Sequence, residues 1–196
     1  MNTATREAIE TIALAVFLIL LLQVTIQNFR VEGPSMDATL INNDRVLVAK
    51  ASYLEVDASR VAKWIPGLSA QEGETWYPFG VPSRGDVIVF RWPRDPSQNF
   101  VKRIIGIPGD TVEISRGTVI VNSVPVDEPY IVHPSNETLG PRVIREGEYY
   151  VLGDNRVQSD DSRHWGTVPA GNIIGEVWVD YWPLDHLATL FARLAL

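Results

Sequence analysis

The chain has 196 residues, no cysteine and a formal net charge of −7, from 17 Lys+Arg against 24 Asp+Glu. Its length suits one sizeable domain with a short appendage, and a mean hydropathy close to zero argues against a multi-span membrane protein. An acidic surface repels phosphate backbones, so nucleic acid is not an expected partner; the missing thiols exclude a cysteine nucleophile, a thiolate metal site and a disulfide framework.

The first seven residues form a short polar start in which Arg6 is offset by Glu7. From Ile12 to Leu22 the chain reads IALAVFLILLL without a polar break, and a weaker continuation reaches Phe29. Residues 8–29 are therefore expected to form a transmembrane anchor, since about 20 apolar residues are needed to cross the hydrocarbon core. A cleaved leader would show a more basic start and a small-residue cleavage site, which QNFRVEG does not offer, and a buried amphipathic helix would show a polar face. Arg6 and Arg30 nearly balance across the span, so the sequence hardly orients it.

After Gly33 the pattern changes to short runs rich in Val, Ile, Tyr and Trp: 44–50, 85–92, 99–107, 110–115, 117–122, 147–153 and 175–182. Gly, Pro, Asp and Asn punctuate them, and together they predict a mainly β catalytic domain over 30–196, an antiparallel, barrel-like sheet behind one N-terminal transmembrane helix. Residues 51–83 are the irregular insertion, with Trp64, Trp76, Tyr77 and Phe79. Their aromatics have two readings: cover over part of the core, or a seat in the lipid interface, where Trp and Tyr are favoured. The tail 184–196 carries Leu187, Leu190, Phe191 and Leu194 on one side of a short amphipathic helix.

Three stretches carry candidate chemistry. Ser35 follows Gly33-Pro34, a rigid mount for a nucleophile and equally the setting of an ordinary turn residue. Of three lysines, Lys102 stands in NFVKRIIGIPGD, where a period of two puts Phe100 and Ile104 on its own face. Burial there would lower its pKa and make it a base; the alternative is a solvated edge-strand lysine. The third stretch, 153–169, gathers Asp154, Asn155, Arg156, Ser159, Asp160, Asp161, Ser162 and Arg163, either as a site or as a polar loop. Its spacing is not that of a calcium loop, and His133, His164 and His186 form no zinc pattern, so neither metal nor cofactor is expected.

The blocks GPSMDATL, DRVLV, RGDVIVF, FVKRIIGIPGD and GDNRVQSDDSRHWGTVP, in that order behind one apolar span, resemble the type I signal peptidases, serine proteases with a Ser/Lys dyad. The resemblance implies Ser35 as nucleophile, Lys102 as general base, and Ser159 hydrogen-bonded to the Lys102 amine. It implies Arg103 with Asp154 and Asp161 with Arg163 as charged braces, and the Ser35 N–H as one oxyanion donor. Gly33 occupies a position where many members have a serine donor, and Ala38 replaces a common proline. The implied substrate is a secretory preprotein bound as an added strand, with small-x-small selected by pockets lined by Phe29, Val31, Met36, Leu40, Phe100 and Val101. The implied setting is a lipid bilayer crossed once, with the N-terminus cytoplasmic and the catalytic domain on the periplasmic or lumenal side. Two rival readings are a soluble self-cleaving Ser/Lys protease like the SOS repressors and a non-enzymatic, membrane-tethered β module that binds partners.

Overall fold

The computed structural model describes residues 3–37, 39–54, 56–64, 71 and 75–182. The elements in chain order begin with helix α1 (Thr3–Thr25), strands β1 (Ile26–Arg30), β2 (Arg45–Ala49) and β3 (Val56–Asp57), helix α2 (Ala58–Ala62) and strand β4 (Thr75–Trp76). Strands β5 (Val87–Trp92), β6 (Asp95–Gly106), β7 (Thr111–Ser115), β8 (Thr118–Val121), β9 (Val124–Pro125), β10 (Leu139–Val143) and β11 (Glu148–Leu152) follow. Helix α3 (Ser162–Trp165) and strands β12 (Val168–Pro169) and β13 (Ile173–Trp182) complete the described chain. The fold is mainly β and antiparallel, as the period-two runs predict, and each of the seven predicted runs overlaps a strand, with β6 and β13 starting earlier than their runs.

The anchor boundary differs from expectation. The apolar helix stops at Thr25, and residues 26–29 belong to β1, which pairs with β2 from Ile26↔Ala49 to Arg30↔Arg45. Continuous apolarity hid this break. Thr25 and Ile26 are β-branched, Gln27 and Asn28 are polar, and pairing with β2 gives their backbone groups partners that further helix would otherwise supply. The segment Thr5–Thr25 is long and apolar enough to cross a membrane, and its apolar window is not buried against the domain. At about 1.5 Å per residue its 21 residues extend about 31 Å, the thickness of a hydrocarbon core.

The main sheet has the order β1-β2-β13-β5-β6-β11-β12, and a second sheet runs β10-β7-β8-β9. Three apolar clusters hold them. Val31, Met36, Leu40, Val46, Val48 and Val89 pack beneath the loop after β1; Ile88, Phe90, Ile104, Tyr149, Val151 and Val168 fill the middle. The third cluster, with Ile105, Val112, Ile114, Val119 and Leu152, joins the second sheet to the first. Within the insertion, Trp64, Trp76 and Phe79 are exposed, so these rings do not cover the core; Tyr53 does pack against the middle cluster. The tail 184–196 lies outside the described residues.

The sheet's crossing at β13 depends on one glycine. A methyl group on Gly175 would collide with the backbone of Ala49 and Lys50, which cannot retreat as a side chain can. Gly175→Ala is expected to destabilise the domain by about 2–4 kcal/mol, read as a lowered thermal unfolding midpoint of the full chain in detergent.

Candidate active site

The loop between β1 and β2 carries Ser35. Gly33 has φ +90, a conformation that favours glycine, and its N–H donates to Asn42 Oδ1 at 3.0 Å. Beyond Pro34 the chain tightens into a helical turn in which Thr39 N–H and Leu40 N–H both donate to the Met36 carbonyl at 2.8 Å. Met36 and Leu40 are buried in the cluster below and fix the loop from inside. From the other side, Asn155 N–H donates to the Ser35 carbonyl at 3.1 Å.

Lys102 lies on β6 opposite Ile88, and only 4% of it is exposed. Its Nζ lies 2.6 Å from Ser35 Oγ and 3.0 Å from the Val101 carbonyl, with the Phe100 ring beneath it. Two residues 67 positions apart are thus in hydrogen-bond contact. Burial pulls the Lys102 pKa from 10.5 to about 8; the charges of Asp161, Asp160 and Asp154 act against that fall, and Arg163 adds to it.

The charged braces are present. Arg103 reaches Asp154 through Nε at 2.9 Å and a second nitrogen at 2.7 Å, and Thr39 donates its hydroxyl to the same carboxylate. Arg163 grips Asp161 in the same two-pronged way, at 2.8 and 2.9 Å. Burial would raise the Asp161 carboxyl, but the Arg163 guanidinium and the Gly153 N–H hold it below the usual carboxylate range.

Ser159 departs from its expected place. It is buried, but the amine's hydrogen bonds go to Ser35 and Val101, and Ser159 is not among its partners. Its side chain rests on Gly153, and its buried Oγ makes no hydrogen bond among the described residues. Met36 and Leu40 also depart from theirs: both are core residues, not pocket walls, because the turn points them inward.

A groove of about 540 Å³ opens over the pair. Phe29, Val31, Phe100 and Val101 line it as expected, with Ser35, Lys102, Gln98, Asn99 and Asp160. One wall is β1, whose far edge has no neighbouring strand among the described residues; the other is β6, four places along the same curled sheet.

The sequence reading missed a strap. Residues 126–138 fasten to the arginines that flank the pair: Glu128 pairs with Arg156, Glu137 pairs with Arg163 at 2.6 Å, and the Tyr130 ring stacks 4.0 Å from the Arg103 guanidinium. One signal was available. The last two blocks hold three arginines (Arg103, Arg156, Arg163), and only two of them have an acid matched to them (Asp154, Asp161), so burial of Arg156 would require a carboxylate from elsewhere.

A serine hydroxyl against a buried amine, on the floor of a groove one strand wide, is the equipment of a serine peptidase with lysine where histidine is commoner. The chain belongs to the family described as signal peptidase, peptidase S26, whose pattern matches residues 5–182. Signal peptidase I of Leptolyngbya laminosa is 38% identical over 192 residues, covering 94% of this chain and 83% of that protein. Probable signal peptidase I-2 of Synechocystis sp. is 36% identical over 166 residues, covering 82% and 65% respectively. A crystal structure of a signal peptidase I from Enterococcus faecalis V583 is 35% identical, covers 50% of this chain and 98% of that one, and superposes with a TM-score of 0.45. The chain is accordingly a serine endopeptidase that removes signal peptides from preproteins.

Two outcomes test this geometry. A Cβ on Gly153 would run into the Ser159 side chain and the Ser35 carbonyl, so Gly153→Ala is expected to cut kcat at least about tenfold by moving Ser35. For Lys102, the unfolded chain keeps its proton up to about pH 10.5 while the folded one loses it near 8. Stability therefore rises with pH across that window, by roughly 3 kcal/mol, because the unfolded state binds the extra proton. Lys102→Met is expected to unfold at a higher temperature than wild type at neutral pH and to lack this rise, as followed by thermal melts from pH 7 to 10.5.

Proposed function

We propose that Ser35 is the acylating nucleophile and Lys102 its general base and acid. The observation that carries this reading is the 2.6 Å contact between Oγ and a buried amine. In its neutral form Lys102 accepts the Ser35 hydroxyl proton as Oγ attacks the scissile carbonyl carbon. The resulting ammonium gives that proton to the leaving amine, and the carbonyl reforms as an ester on Ser35. The amine, neutral again, takes a proton from water, whose oxygen attacks the ester; return of the proton to Oγ releases the signal peptide.

The developing oxyanion is met by the Ser35 N–H. Gly33 contributes no hydroxyl, so the second donor is a backbone N–H or a water in the groove. Arg103, Asp154, Asp161 and Arg163 hold the strands that carry the pair. The precursor lies as an extra strand between β1 and β6, with small side chains set against Phe29, Val31, Phe100 and Val101.

We further infer that α1 crosses the bilayer once, with its N-terminus cytoplasmic and the catalytic domain on the extracytoplasmic side. The length and apolarity of Thr5–Thr25 support the span. The substrate supports the orientation, since a cleavage site just beyond a precursor's apolar segment emerges on the far side of the membrane.

Detergent-solubilised wild type should cleave a preprotein after its A-x-A site, while Ser35→Ala and Lys102→Ala should each lose at least about a thousandfold in kcat/KM. Equal cleavage by all three would refute the pair. Because the neutral amine is the active form, kcat/KM should climb with pH through about 8 and level off above it.

A further inference from the structure

Four of the groove's lining residues are ionisable: Arg30, Glu32, Lys102 and Asp160. The Arg30 guanidinium is tied to Asn43 Oδ1 at 2.6 Å. With Lys102 neutral in the active form, the walls carry two carboxylates, Glu32 and Asp160, against the one guanidinium of Arg30. The groove that receives the substrate is therefore acidic beside the reacting atoms.

Asp160 owes its place to the way 159–161 is wound. Ser159 and Asp161 are buried and turn toward Gly153 and Arg163, which leaves the residue between them pointing outward. The Asp160 side chain is 59% exposed and, among the described residues, its ion-pair partner is His164, whose Nδ1 lies at 3.5 Å. No brace depends on it: Asp154 and Asp161 take the arginines. The carboxylate thus stands on the groove wall with Ser35 and Lys102, where a bound strand would pass with its scissile bond.

Resting on the proposed Ser35 and Lys102 reading, we infer that Asp160 is a specificity-determining residue of the groove, selecting preproteins with a lysine or arginine side chain within two residues of the scissile bond. A strand advances about 3.3 Å per residue, so a long basic side chain on a residue flanking the bond can reach a carboxylate on the same wall as the pair. The acidic wall attracts that cation and repels an acidic side chain at the same position. Small pockets for Phe29 and Val31 neighbours set size; Asp160 sets charge.

The test is a set of peptides carrying one A-x-A site, with Lys or Glu placed in turn at the second residue before the bond and at the first and second residues after it. Full-length enzyme in detergent is assayed at pH 9, where imidazoles are uncharged. In wild type, at one position or more, kcat/KM for Lys should exceed that for Glu by about fivefold or more, expressed in KM. Asp160→Asn should bring that ratio near one, and Asp160→Lys should invert it. Ratios that stay intact in both variants, including a uniform change in kcat across all peptides, would overturn the inference, because that pattern reports on the Lys102 base and not on selection. A wild type indifferent to charge at every position would overturn it too. Ser35→Ala run alongside separates the two levels: cleavage by that variant would fell the catalytic reading, and the inference with it.

Discussion

An ammonium cannot take a proton, so with Lys102 as the proposed base the site turns on keeping one lysine amine out of water and beside one hydroxyl. Lys102 meets both demands on β6, where strand pairing and apolar neighbours bury it and the loop after β1 brings Ser35 within 2.6 Å. Burial has an opposing force close by, since Asp154, Asp160 and Asp161 all favour the charged amine. If the two buried carboxylates reached Lys102 directly, they would hold it as an ion pair and silence it as a base. Arg103 and Arg163 occupy them with paired hydrogen bonds, so the braces do more than stiffen the strands: they divert negative charge from the base. The strap extends the same logic, because Glu137 shares Arg163 and Tyr130 covers Arg103, leaving those guanidiniums oriented toward their acids.

The fold supplies the second requirement, a place for a peptide strand. A sheet that begins at β1 and reaches β6 only after three intervening strands must curl for both to wall one groove. The gap between them is where a closed barrel would have hydrogen bonds. An unpaired edge is ordinarily a liability for aggregation, and in the proposed binding mode it is the feature that receives an extended substrate. Recognition through backbone groups, as proposed, would let one groove accept precursors whose sequences differ, with selection left to the few side chains that touch its walls.

How much of this was legible in the sequence depended on whether the signal was local. Strands such as β7 and β8 show alternating Val and Ile between turn residues and were readable directly. β1 was not, because IQNFR continues an apolar run and its strand character comes from β2, which lies beyond the nucleophile loop. Ser35 and Lys102 were ambiguous singly, and the order of five blocks behind an apolar span drew them together. Met36 and Leu40 were placed in the pocket wall by proximity to Ser35, yet the turn closed on the Met36 carbonyl rotates both into the core. Ser159 shows the same limit: its neighbours in sequence say nothing about Gly153, whose missing side chain makes the room it occupies. The strap left only the unmatched Arg156 as a trace, since Glu128, Tyr130 and Glu137 act on partners that only the folded chain brings near.

The junction between α1 and β1 ties chemistry to location. The helix ends at Thr25 and the strand starts at Ile26, with no linker between them. Five residues of strand extend about 17 Å, and the first of them are paired to β2, so this connection is stiff where a glycine- or serine-rich tether would swing. With α1 across the bilayer as proposed, the height of the groove is set by covalent geometry and sheet pairing together. A small-x-small motif is common in unfolded chain, and shallow pockets discriminate weakly. Fixing the groove close to the end of the span adds a second criterion, since a precursor held by its own apolar segment presents its cleavage site at one height. Position then contributes to selectivity beside pocket size, and the abrupt end of α1 is as much part of substrate choice as the residues that line the groove.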